Sequence, residues 1–113
     1  YPKAIDFHER SLKIAQDIKN RLGEGAALDN LGAAYSSMGD YLKAIEFHER
    51  SLKIAQDIKD RNGEGIALGN LGLAYQELGD YPKAIEFHER RLKIAQDIKS
   101  REGEGDALNN LGA

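Results

Sequence analysis

A period of about 40 residues runs through the whole chain. Tyr1, Tyr41 and Tyr81 mark it, as do Gly23-Glu24-Gly25, Gly63-Glu64-Gly65 and Gly103-Glu104-Gly105, and again Asn30-Leu31-Gly32, Asn70-Leu71-Gly72 and Asn110-Leu111-Gly112. A unit this short cannot bury both faces of its own helices. Each copy must therefore stack on the next, and function belongs on the surface that the stack creates. Differences between copies become informative, because they show which faces tolerate or require change.

In the central copy Leu68, Leu71, Ala74, Tyr75 and Leu78 follow helical spacing, and Gly79 supplies a left-handed cap that ends this first helix, A. Asp80 is placed to cap a second helix, B, with Pro82 in its first turn. Along B, Ile85, His88, Leu92 and Ala95 form one stripe, while Phe87, Ile94 and Ile98, interrupted by Arg91, form another. Two stripes predict two neighbours, the helix A of the same unit and that of the next.

Asn20, Asp60 and Ser100 occupy equivalent places, and all three are N-cap types. Helix A is therefore expected to start near Arg21, Arg61 and Arg101, with the preceding B running on through Ile58 and Lys59. This puts both glycines of each Gly-Glu-Gly in the first turns of A, at roughly 1 kcal/mol each against alanine. Close approach of a neighbouring helix backbone, or of a ligand, would offset that cost. Glu46 with Arg50 and Glu49 with Lys53 are i,i+4 pairs that solubilise an outer face. The organisation is a single array: a helix B at 1–20, full units at 21–60 and 61–100, and a partial helix A at 101–113. The chain opens and closes inside units, so it reads as a fragment of a longer array whose ends present apolar surface.

Several function classes are disfavoured. Sixteen Lys and Arg against nineteen Asp and Glu leave a net charge of -3, with no basic patch to engage nucleic acid. No apolar run approaches the roughly 20 residues needed to span a bilayer, and no signal peptide opens the chain, so a cytoplasmic location without membrane contact is expected. The chain has no cysteine, which removes disulfides and thiolate chemistry. His8, His48 and His88 lie a full unit apart, on the order of 10 Å between neighbours, too far to share an ion, and each falls in an apolar stripe. They read as half-buried packing residues. Tyr35, Tyr75, Tyr41 and Tyr81 likewise read as packing rather than a base-stacking platform. No nucleophile, base and orienting group converge at any spacing, so a protein without enzymatic activity, metal or cofactor is expected.

The Leu-Gly, Ala-Tyr, Gly-Asp-Tyr and Lys-Ala-Ile elements at these spacings resemble the tetratricopeptide repeat, whose period is about 34 residues. The longer unit here, with Gly-Glu-Gly, Asn-Leu-Gly and Phe-His-Glu-Arg, is similar to the repeats of the LGN/Pins polarity adaptors and, more distantly, of kinesin light chain. The resemblance implies an all-α solenoid of antiparallel helix pairs, a right-handed superhelix whose helices A line a concave groove for extended or helical peptides. It also implies that Asn30, Asn70 and Asn110 hold a peptide backbone there. The arginine and asparagine that LGN-type repeats often carry after Gly-Glu-Gly and Leu-Gly are replaced by Ala26, Ile66, Asp106 and by Ala33, Leu73, Ala113. The lysine-rich clamp for a C-terminal carboxylate is missing too, which disfavours a chaperone-tail ligand.

Between copies the changed sites on helix A are Leu22/Asn62/Glu102, Ala26/Ile66/Asp106, Asp29/Gly69/Asn109, Ala33/Leu73/Ala113, Ser36/Gln76 and Ser37/Glu77, besides the conservative Met38/Leu78. Their spacing draws one stripe down a single helix face. Helix B varies in its body only at the Pro2, Asp6 and Ser11 places. The stripe is small and apolar with acidic points and no lysine or arginine, which favours an apolar or mildly basic peptide partner. The candidate site is thus Asn30, Asn70 and Asn110 with Ala26, Asp29, Ala33, Ser37, Ile66, Gly69, Leu73, Gln76, Glu77, Asp106 and Asn109. The competing reading is a structural spacer, an engineered consensus scaffold, or a rod that self-associates end to end.

Overall fold

The computed structural model describes the backbone of residues 2–112 and the side chains of residues 3–99. Within them the chain forms α1 (Pro2–Asp17), α2 (Arg21–Ser37), α3 (Tyr41–Asp57), α4 (Arg61–Leu78) and α5 (Tyr81–Gly112). Each helix packs on its neighbour in sequence, and α2 also meets α4, whereas among the described residues the backbones of α1 and α3, like those of α3 and α5, do not approach one another. Helices A (α2, α4) therefore close on one another while helices B splay apart. That asymmetry curves the stack and puts helices A on its inner side.

One residue makes each tight corner. Gly39 and Gly79 take left-handed φ of 81° and 91°. The next amides, of Asp40 and Asp80, donate back to Tyr35 and Tyr75 carbonyls at 2.9 Å and close a Schellman turn. The same aspartates then start the following helix, their Oδ1 atoms accepting from the amides of Lys43 and Lys83. Asn20 and Asp60 do likewise between units: their amides donate to Ala15 and Ala55 at 2.8 Å, and their side chains accept from Gly23 and Gly63.

At these inter-unit corners the structure corrects one expectation. Helix B does not run on through Ile58 and Lys59; it ends at Asp57, with Lys19 and Lys59 themselves left-handed at φ of 56° and 58°. A lysine pays about 1–2 kcal/mol for that conformation, and seating a helix A between two helices B offsets it. A second correction concerns Ser100, the expected N-cap. There α5 continues unbroken for 32 residues. Ser100 stands where Asn20 and Asp60 cap, but the ladder of i to i−4 bonds runs past it.

The core runs between the layers. Leu28, Leu31, Leu68 and Leu71 are fully buried, each worth about 1.5–3 kcal/mol. The two-stripe expectation for helix B is met in α3, where Ile45, Leu52, Ile54 and Ala55 are all buried between α2 and α4. In α5 only the stripe facing α4 is covered: Ile94 is buried while Ile85 and Leu92 stand exposed. Tyr35 and Tyr75 are packing residues, stacked at 5.4 Å on Phe47 and Phe87, with Lys43 and Lys83 over their rings. The anticipated surface pairs are replaced: the Arg50 guanidinium lies over Phe47, Glu49 accepts from the Tyr75 hydroxyl, and Lys53 pairs with Asp57.

Candidate functional site

The changed stripe lies on the solvent side of helices A. Leu22, Ala26, Ala33 and Ser37 on α2, and Asn62, Ile66, Leu73, Gln76 and Glu77 on α4, are exposed. Most of these residues border three clefts, two between α2 and α4 over α3 and one between α4 and α5. A first, of about 160 Å³, lies between Leu22, Ala26 and Asp29 on one side and Ile66 on the other, floored by Ser51 and Ile54. A second, of about 380 Å³, joins Ala33, Ser36 and Ser37 to Asn70, Leu73 and Glu77 over His48. A third, of about 410 Å³, carries Ile66, Gly69, Asn70 and Leu73 toward His88 and Arg91.

Asn70 thus stands at the meeting of two clefts, half-buried, with Leu73 beside it. Asn30 is exposed and lines none of the three. Asp106, Asn109 and Asn110 lie outside the residues whose side chains are described.

Two stripe positions are tied to the floor instead of facing a free cleft. Asp29 is held inward, its Oδ1 3.0 Å from Nδ1 of the buried His48. In the next copy Gly69 takes the place of Asp29 and Arg91 that of Ser51. A Cβ at Gly69 would come within 2.8 Å of the Arg91 Cδ, so the glycine opens the space that the arginine stem occupies. The helix A stripe itself lacks Lys and Arg, but α5 brings this cation to the groove. Its signal was present in the sequence, since the Ser11, Ser51, Arg91 series is the one charge-changing place in the body of helix B.

The glycines of Gly-Glu-Gly make room for side chains and not for a neighbouring backbone. A Cβ on Gly23 would meet the Asn20 side chain at 2.6 Å, and one on Gly63 would collide with the Asp60 carboxylate. Gly25 and Gly65 sit at ordinary contact, 3.6 Å, from Ile54 and Ile94. The intervening Glu24 and Glu64 bind Arg21 and Arg61, which also reach Asp57 and Asp97 on the following helix B. The motif therefore latches A to B. Gly32 and Gly72 are the sites of close approach, since the rings of His48 and His88 lie 2.5–2.8 Å from where a Cβ would stand. Each histidine is thus a packing residue. Among the described residues no group of three or more His, Asp or Glu comes together as metal ligands, and no helix is long and apolar enough to cross a membrane.

No curated protein matches the chain significantly. Among solved structures, the tetratricopeptide repeat domain of Arabidopsis FLU superimposes with a TM-score of 0.80 at 30% identity, over 85% of this chain and 81% of that one. A family model described as tetratricopeptide repeat matches at residues 1–57, 36–97 and 63–113. With its helix pairs stacked in register and its helices A turned to the inside, the chain belongs to the tetratricopeptide repeat family of protein–protein interaction scaffolds.

Proposed function

We propose that the groove between α2 and α4 holds an extended or helical segment of a partner protein. One coincidence carries this reading. The positions that differ between copies and the residues that border the clefts were defined independently, and most of the changed positions on α2 and α4 border a cleft, beside constant residues such as Asn70 and His48. Ile66 and Leu73 are 58% and 54% exposed there, an apolar surface that the fold itself does not use. Asn70, between them, offers a carboxamide that can both donate to and accept from a peptide backbone. Asn30 and Asn110 would extend that row along the array. Glu77, near Leu73, suits an apolar segment carrying a basic residue. The same proposal places the long unit with the repeats of LGN/Pins and kinesin light chain, and the chain in the cytoplasm.

The test is selection of binders from a displayed peptide library, followed by the triple change Asn30→Ala, Asn70→Ala, Asn110→Ala. Affinity for the selected peptides should fall roughly tenfold or more. Undiminished binding would remove the asparagines from the site. A second reading, end-to-end association, is favoured by Phe7 and Ile14 on α1, 64% and 61% exposed. Light scattering that grows with concentration would support it.

A further inference from the structure

His48 does more than pack. Its ring is 3% exposed and floors the second cleft, the one between α2 and α4 that Asn70 and Glu77 border. Oδ1 of Asp29 lies 3.0 Å from its Nδ1. A carboxylate only accepts, so Nδ1 carries the hydrogen, and in the neutral ring Nε2 is left with a free lone pair. Among the described residues the one enclosed side-chain nitrogen or oxygen without a partner is Nδ1 of His8. Nε2 of His48, equally without a partner there, therefore keeps access to the cleft. A Cβ at Gly32 would stand 2.5 Å from this nitrogen, so the glycine leaves it uncovered.

The next unit lacks the arrangement. Gly69 replaces Asp29 there, so no carboxylate orients His88, and the ring atoms nearest the Cβ place of Gly72 are Cε1 and Nδ1, at 2.6 and 2.7 Å. Packing alone, which both histidines provide, does not call for an acceptor in one copy. The other residues around the cleft set its charge. Ser36, Ser37, Tyr41, Asn70 and the exposed Glu77 border it, and no lysine or arginine does.

We propose that this cleft holds an arginine side chain of the partner segment, one guanidinium N–H donating to Nε2 of His48 and another edge facing the Glu77 carboxylate. The inference rests on the groove reading for the partner's being a protein segment. Guanidinium carries five donors in a planar fork and so serves two acceptors at once, whereas an ammonium is a single point charge. The cleft, at about 380 Å³, has room for the side chain. Because the oriented acceptor belongs to one copy, a single arginine would set the register of the segment along otherwise similar units.

The test is NMR of the histidine ring nitrogens, with His48 assigned, during titration of the whole chain with N-acetyl-arginine methylamide and with its norleucine analogue. In the free chain Nδ1 should carry the proton and Nε2 should be bare. The arginine probe should move the Nε2 resonance and the norleucine analogue should not. Glu77→Gln should raise the midpoint about threefold, and Asp29→Ala, which lets the proton pass to Nε2, should abolish the response. A proton on Nε2 in the free chain, a response equal for both probes or absent for both, or a midpoint indifferent to Glu77→Gln overturns the proposal. If selected peptides bind and Leu73→Asp weakens them while His48 ignores arginine, the arginine site falls and the groove stands. An arginine response beside peptides indifferent to Leu73→Asp keeps the site and removes the groove.

Discussion

Nδ1 of His48 lies 3.0 Å from Oδ1 of Asp29, across the contact between α2 and α3. The imidazole is 3% exposed, so it depends on protein for a partner. Asp29→Ala strands that nitrogen and should cost about 1–3 kcal/mol in urea unfolding. Asp29→Asn keeps an acceptor at the same place and should cost less than about 1 kcal/mol. Equal losses from the two changes would show that the carboxylate charge, and not the hydrogen bond, matters.

Two helical glycines only seven residues apart should respond with opposite sign. A Cβ at Gly32 meets the buried His48 ring at 2.5–2.8 Å, and a ring wedged between helices has little room to yield. Gly32→Ala should destabilise by about 1–3 kcal/mol. At Gly25 the nearest atom is Ile54 Cγ2 at 3.6 Å, an ordinary contact. Gly25→Ala should therefore stabilise, by about 0.5–1 kcal/mol, through the lower entropy of its unfolded chain. Thermal midpoints moving apart in these two variants are the check.

How far the sequence speaks is visible at such sites. Helix order, the capping aspartates and the exposed stripe all follow from spacing, because local hydrogen bonding and a helical period decide them. The left-handed Lys19 and Lys59 did not, since lysine carries no local signal for that conformation and only the tertiary seat of the next helix enforces it. The role of Asp29 was hidden for a related reason. Its partner lies 19 residues away, and one-dimensional periodicity places Asp29 on a face without saying what stands opposite. Arg91 could have been noticed, because a helix B constant nearly everywhere else changes charge there.

Lysine to glycine should likewise change sign with position. Lys59, at φ 58°, is relieved by glycine, and Lys59→Gly should stabilise by about 0.5–1 kcal/mol. Lys53, exposed in the middle of α3, gains nothing from that freedom, and Lys53→Gly should cost about 1 kcal/mol. Chemical denaturation of both variants, with unchanged slopes, measures the difference. Destabilisation by Lys59→Gly would mean that the lysine side chain, rather than its backbone, holds the corner.

Tyr75 gives the fold an alkaline limit. Burial pushes its phenol above the ordinary value of 10.0, and the Glu49 carboxylate adds to the effect while Lys83 opposes it. The folded state thus holds this proton more tightly than the unfolded chain does. The corresponding stability is fully present below a pH of about 10 and is lost as pH rises through the folded value. Unfolding free energy should therefore fall more steeply in that alkaline window for the parent chain than for Tyr75→Phe. Parallel pH profiles would show that the phenol titrates as it does in the unfolded chain.

The groove can be tested apart from the fold, because its apolar residues are not those that hold the helices together. Leu73 is 54% exposed and borders two clefts, whereas Leu71 is fully buried. Leu73→Asp removes little buried area and should shift stability by less than about 0.5 kcal/mol, while Leu71→Ala should cost about 2–5 kcal/mol. Partner binding should respond in the reverse order. A carboxylate in the middle of an apolar contact should weaken capture of a selected peptide by roughly tenfold or more, whereas Leu71→Ala, assayed well below its unfolding midpoint, should bind with near-parent affinity. If Leu73→Asp binds as tightly as the parent, the variable stripe is not the contact surface, and the outer faces of the helices B become the place to look.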